Sequence, residues 1–344
     1  MESVDRLDPA EAAQAVNLGL FVNVAYQMWS DHPGVAAPPP PSDLPDGYIF
    51  AAWVQMRDFL FASGELVFYG LIARSPDGAD SILAIRGTAT PEEWVDDLTS
   101  LVPAPWTGSG QVGYGFNRIY QTLRVVPFEA SAVAAAPSAR PSAPALPFAQ
   151  QVANIVRQAA PPSRPPGKMA APPQEGRANP IRVVGHSLGS ALATLYVAEN
   201  LKVGQLAVEL ICTFASPKVG DHQFAASFDA LNGAKSWRIV NELDIIPYLP
   251  PIGFEHVDKL QAYNSGLVVN PLSPGCCHSL DTYLHLLDPN QPLPAGCQLL
   301  RGALARERLL AGVAPEAGPQ RGVALSAPAG KGATITITVR VDPS

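Results

Sequence analysis

The run Ile181-Arg182-Val183-Val184-Gly185-His186-Ser187-Leu188-Gly189-Ser190-Ala191-Leu192-Ala193 constrains this chain more than any other. A β-branched stretch breaks at a glycine and, past Ser187, the chain resumes as an Ala/Leu-rich helix, with Gly-x-Ser-x-Gly across the junction. A strand that turns this sharply into a helix holds the middle serine in a strained conformation. Only small residues tolerate the close approach on either side, hence Gly185 and Gly189, followed by Ser190, Ala191 and Ala193. The hydroxyl then stands at the C-terminal edge of a sheet, above a helix start whose free N–H groups can stabilise an oxyanion. This is the setting of a hydrolase nucleophile.

The flanking sequence extends the pattern. Strand 181–184, helix 187–201, strand 208–215, helix 221–231 and strand 236–241 alternate, which implies a largely parallel sheet covered by helices on both faces. Upstream, 66–75 and 81–86 are β-rich runs joined by the turn signal Pro76-Asp77-Gly78 and predict a hairpin. Residues 53–61 read as a short helix or a mixed apolar segment, 116–123 and 148–159 as helices, and 333–341 as a terminal strand. Asp8-Pro9 followed by Glu11 is a helix start, so residues 9–30 predict an amphipathic helix packed on the sheet.

At 344 residues, 47% hydrophobic, the chain can bury a sizeable core, and it reads as a single α/β domain, 1–344, with an extension from about 290 to 344. Its 36 prolines cluster in linker 38–41 and in Pro/Ala-rich insertions at about 130–147 and 160–178, which mark surface segments. A net charge of −7 argues against nucleic acid and anionic membranes as main partners, though not against neutral lipid or ester substrates. Four cysteines are too few for a disulfide scaffold here; Cys212 reads as a buried thiol, and a bond from Cys276 or Cys277 to Cys297 stays open. Metal-ligand spacing is missing, so neither metal nor cofactor is expected. The apolar stretch 16–29 is interrupted by Asn17, Asn23 and Gln27, too polar for a transmembrane span, and the opening residues lack a secretory leader pattern. The expected location is the cytoplasm, or outside by another export route. Oligomeric state is not legible.

A serine nucleophile needs a base, and the base an orienting acid. Asp244 follows the apolar strand 236–241 at its C-terminal end, where active sites collect in open α/β sheets, with Glu242 as local competitor and Asp221 reading as a helix cap. His256, His278 and His285 all follow it. His278 enters a helix from a Pro/Gly loop and reaches a strand edge more easily than His285 within that helix. His186, inside the elbow, reads as a structural partner.

These motifs resemble the fungal-type (class 3) lipases of the α/β-hydrolase superfamily. Ile85-Arg86-Gly87-Thr88 with Trp94-Val95-x-x-Leu98 is similar to that family's oxyanion strand and lid entry. Gly113-Tyr114-Gly115-Phe116-x-x-x-Tyr120, the elbow, Phe214-Ala215-Ser216-Pro217-Lys218-Val219-Gly220-Asp221, Val240-Asn241-Glu242-x-Asp244-Ile245-Ile246-Pro247-x-Leu249-Pro250-Pro251 and His278-Ser279-Leu280-x-x-Tyr283-Leu284-His285 follow in the family's order, from about 65 to 288. The resemblance implies an α/β-hydrolase fold with a helical lid at about 88–105, Ser187 as nucleophile, Asp244 as orienting acid and His278 as base. It further implies Thr88 and the Leu188 N–H as oxyanion donors, and Trp94, Val95 and Leu98 at a lid that contacts substrate. Tyr114 departs from the family, which has His there. The implied activity is carboxylic ester hydrolysis through an acyl-enzyme, triacylglycerol lipase first. Short-chain or feruloyl-type esterase and sn-1 phospholipase use the same site, and a non-catalytic binding protein on the same fold is the reading from another class. Transient contact with a lipid–water interface goes with the lid, whose acidic outer face (Glu92, Glu93, Asp96, Asp97) offers no attraction to phosphate.

Overall fold

The computed structural model describes residues 6–57, 65–88, 102–128, 146–157, 180–203, 206–299, 323–326 and 336–339. The chain divides into two units, Met1–Gln298 and Leu299–Ser344. In the second, β11 (Val323–Ser326) and β12 (Thr336–Val339) pair antiparallel; β12 falls within the expected terminal strand 333–341, whereas β11 was not expected.

The first unit is built on eight strands: β1 (Ile49–Arg57), β2 (Leu66–Arg74), β3 (Ser81–Ile85), β6 (Arg124–Pro127), β7 (Ile181–His186), β8 (Val208–Phe214), β9 (Lys235–Asn241) and β10 (Leu260–Tyr263). Their order is β10-β9-β8-β7-β3-β2-β1-β6. The run from β10 to β3 is parallel, and β3, β2, β1 and β6 continue it antiparallel. A short antiparallel pair, β4 (Pro103–Pro105) and β5 (Gln111–Gly113), stands outside it. The expected hairpin is β2–β3. The 53–61 segment requires correction: its described part, 53–57, is not a helix but the second half of β1. That strand is buried on both faces over most of its length, so its sequence is nearly continuous in apolar residues and lacks the period of two that marks a half-exposed strand.

Helices cover both faces. α2 (Tyr114–Tyr120), α3 (Phe148–Arg157), α4 (Leu188–Val203) and α5 (His222–Leu231) contribute to one apolar core. α1 (Pro9–Asp31) and α7 (Leu280–Leu287) share the other; α6 (Pro274–His278) precedes α7. α1 starts as expected: Asp8 accepts from Ala10 N (2.8 Å) and Glu11 N (2.9 Å), and Glu11 reaches back to Asp8 N. Its inner face, Leu18, Phe21, Val22 and Ala25, is fully buried, and each large side chain stabilises by roughly 1.5–3 kcal/mol. Where α1 meets α7, a Cβ on Gly19 would lie 2.4 Å from Leu284 Cδ2, so any larger residue there would require the Leu284 side chain to shift. Asp221 caps α5 through Phe224 N (2.8 Å). The lid residues Trp94, Val95 and Leu98 and the insertions from 130 to 145 and 160 to 178 lie outside the described residues. The end of the expected lid, 103–105, is strand β4.

Candidate active site

The strand β7 ends at His186, α4 begins at Leu188, and Ser187 joins them at φ 56°, the left-handed region that a serine occupies only under constraint. Ser187 N–H donates to Phe214 O on β8 (2.9 Å), which pins the turn to the sheet. A Cβ on Gly185 would sit 2.4 Å from Gly189 O, and one on Gly189 would sit 2.2 Å from Ile85 O, so both glycines are fixed by backbone contact. Gly87 is equally tight: its Cβ would meet Ser187 Cβ at 2.8 Å. Thr88, the next residue, is therefore beside the elbow, as is the first turn of α4 with Leu188.

Asp244 and His278 meet. His278 closes α6, and its Nδ1–H donates to Asp244 Oδ2 at 2.7 Å, with both side chains almost wholly buried. Tyr283 Oη donates to the same oxygen at 2.7 Å, and Ile246 N–H donates to Oδ1 at 3.0 Å. His278 Nε2 is buried and has no hydrogen-bond partner among the described residues. The His278 ring lies against that of His186, the residue before Ser187, with centroids 4.8 Å apart and planes tilted by 41°. A buried imidazole with one nitrogen held by a carboxylate and the other open can take a proton from a hydroxyl at the elbow and return it. Removing the tyrosine donor tests the carboxylate's role: Tyr283→Phe should lower kcat about tenfold.

The elbow histidine belongs to a second chain of bonds. His186 Nε2 donates to His278 O (2.8 Å), so the ring's proton is there and Nδ1 accepts from Tyr26 Oη (2.8 Å). Tyr26 Oη in turn accepts from Gly87 N–H (2.8 Å). Burial first, then the neighbouring His278, hold the His186 pKa well down, so it stays neutral. Helix α1 thus fastens the strand end at Gly87 to the backbone of His278. Neither Tyr26 nor the Tyr283 contact was read from the sequence. Tyr283 stood in a quoted motif, but no spacing assigns it to Asp244; Tyr26 is 160 positions from its partner.

The competitors are engaged elsewhere. Glu242 is exposed and accepts from Asn264 (2.8 Å). His285 Nδ1 donates to Gln291 O (2.7 Å), and His222 faces Glu255 at the surface (2.9 Å). His256 Nε2 donates to Pro247 O (2.7 Å), and burial, with Arg238 adding to it, depresses its pKa to about 3. Unfolded, that imidazole protonates near its ordinary 6.5, so acidification from pH 6.5 toward 3 favours the unfolded chain. Asp258 acts oppositely: burial raises its pKa from 3.8 to about 6, so between those values folding takes up a proton. His256→Gln, which keeps a donor for Pro247, should flatten the loss of stability between pH 7 and pH 4.5; urea midpoints at the two values measure it.

Among the described residues, no set of three His, Cys, Asp or Glu could hold a metal, and no helix is long and apolar enough to cross a membrane.

A sequence model of the family Lipase (class 3) matches residues 82–254. Phospholipase A1-II 4 of Oryza sativa subsp. japonica is 28% identical over 272 residues, covering 72% of this chain and 60% of its own length. Phospholipase A1-II 3 of the same subspecies is 32% identical over 258 residues, covering 67% and 55%. The chain thus spans between half and two thirds of these curated relatives. In structure it is similar to the nonglycosylated Yarrowia lipolytica LIP2 lipase, with TM-score 0.51 and 19% identity, covering 79% of this chain and 86% of that one, a likeness of fold.

Proposed function

Since this chain belongs to the class 3 lipase family, we propose that it hydrolyses carboxylic esters of lipids through an acyl-enzyme on Ser187. The observation that carries this reading is the His278 ring, held at Nδ1 by Asp244 and open at Nε2. Ser187 Oγ attacks the ester carbonyl while Nε2 takes its proton. The oxyanion rests on the Leu188 N–H and on the N–H and hydroxyl of Thr88. His278 then protonates the leaving alkoxide, and water, deprotonated by the same nitrogen, releases the acid. None of these steps calls for a cofactor.

The substrate is assigned to the glycerolipids. Exposed apolar side chains stand on the loops that follow β9 and β10 and carry or lead to Asp244 and His278: Tyr248, Ile252 (83% exposed), Leu267 (94%) and Leu272. Side chains left in water at such positions suit a lipid surface. The family resemblance put triacylglycerol first; the relatives named phospholipase A1 favour the sn-1 acyl bond of a glycerophospholipid. The lid, with Trp94, Val95 and Leu98 over the site, and contact with the lipid–water interface are part of the same proposal.

The test is acid release from phosphatidylcholine vesicles carrying different acyl chains at the two positions, beside a triolein emulsion, with Ser187→Ala as blank. Faster release of the sn-1 chain supports the phospholipid reading, and preference for triolein overturns it in favour of the triacylglycerol lipase. Turnover of only a soluble butyrate ester would mean an esterase. Failure on all three would leave a binding protein on this fold.

A further inference from the structure

The acid and the base share a small satellite core. Val269, Cys277 and Cys297 are buried together, with Leu243, Cys276 and Leu293 packed around them. Leu243 immediately precedes Asp244, and Cys277 immediately precedes His278. Three buried residues cannot hold two loops by apolar burial alone, so covalent and polar ties do the rest. Cys276 is bonded to Cys297 across 21 positions. Asn241, at the end of β9, donates through Nδ2 to Cys277 O (2.8 Å) and Ser265 Oγ (2.9 Å), and accepts Ser265 N–H at Oδ1 (3.1 Å). Asn270 N–H donates to Cys297 O, and Val269 bridges to Gln298. The chain beyond α7 is thereby fastened beneath the loop that delivers His278.

We propose that the Cys276–Cys297 disulfide is a redox latch on the acid–base half of the site, so that a dithiol reductant turns hydrolysis down and reoxidation by a small-molecule disulfide, which takes up the two electrons as two thiols, restores it. The inference rests on the roles given above to Asp244 and His278. Cys276 is partly exposed, whereas Cys297 is buried, so attack is assigned to Cys276. A reductant thiolate attacks Cys276 Sγ and the sulfur–sulfur bond breaks. Cys297 leaves as a thiolate and takes up a proton. The second thiol of the reductant then displaces Cys276 and closes a disulfide of its own, so two electrons pass to the protein. Cys277 does not compete as attacker: its thiol is buried, and burial raises its pKa. The reduced chain keeps both main cores, which contain no part of the latch. It loses the tie that sets His278 against Asp244.

The experiment uses the full chain, oxidised or reduced with dithiothreitol, with thiol alkylation confirming the state. Hydrolysis of a soluble butyrate ester and amide hydrogen exchange are both followed. Expected on reduction is a fall in kcat of at least tenfold with KM within twofold. Exchange should accelerate across residues 264–298 and not across 181–203. A Cys276→Ser, Cys297→Ser double variant should show the low rate with or without reductant. If activity and exchange stay unchanged in protein shown to be reduced, the latch is wrong; if exchange accelerates equally across 181–203, the bond merely supports the whole fold, and the latch is wrong again. Should the oxidised protein hydrolyse nothing, the catalytic roles fail, and selective exchange at 264–298 still decides whether the latch exists.

Discussion

Ser187→Ala should abolish ester hydrolysis, with a fall in kcat of about 10^4- to 10^6-fold, while the protein folds as before. The loss is this large because every covalent step passes through one oxygen. The alanine makes no new clash, since Ser187 Oγ is not among the atoms that pin the elbow; that work is done by the backbone bond from residue 187 to Phe214 O and by Gly185 and Gly189. The melting temperature should shift by no more than a few degrees, and the residual rate, measured against a fluorophosphonate-treated sample, should equal that of the blocked wild type. A variant that keeps a tenth of the activity would remove Ser187 from the nucleophile's role.

Asp244→Asn should cost about 10^4-fold in kcat, the size seen when the orienting carboxylate of a serine triad becomes an amide. The carboxylate has two oxygens and three donors on it, from His278, Tyr283 and the Ile246 N–H. An amide offers one acceptor oxygen for those three donors. If its NH2 faces His278, the ring must accept at Nδ1 and carry its proton on Nε2, where it can no longer act as base. Burial leaves no water to relieve the mismatch, so some loss of stability accompanies the loss of rate. Comparing kcat with the urea midpoint separates the two. A drop confined to stability, with kcat unchanged in the folded fraction, would move the acid's role to another residue.

How much of this was legible beforehand depended on the distance over which each feature is determined. The elbow is written in consecutive residues, because Gly185 is fixed within the same turn by Gly189, although the contact that fixes Gly189, Ile85 O, comes from β3. Asp244 could be proposed because a strand's C-terminal end is marked by the strand itself. His278 was separated from His285 by its place at a helix start, and the folded chain gives His285 a different partner, Gln291 O. The 53–57 part of β1 was misread because a strand buried on both faces has the composition of a buried helix.

The sequence by itself determined the strand–elbow–helix unit and the α/β alternation, since these follow from local sterics and hydrophobic period; the proposed order Ser187, Asp244, His278 came from the resemblance to the family. Only the tertiary structure decided which side chains close the network. Tyr26 reaches the elbow from a helix at the other end of the chain, Tyr283 turns onto Asp244, and Asn241 ties the β9 end to Cys277. Only it chose Cys276 over Cys277 for Cys297: neighbouring residues on a helical turn point about 100° apart, so only one of the two sulfurs meets Cys297 and the other stays a free thiol. Such choices depend on where elements far apart in sequence come to rest against each other, and no window along the chain contains that information.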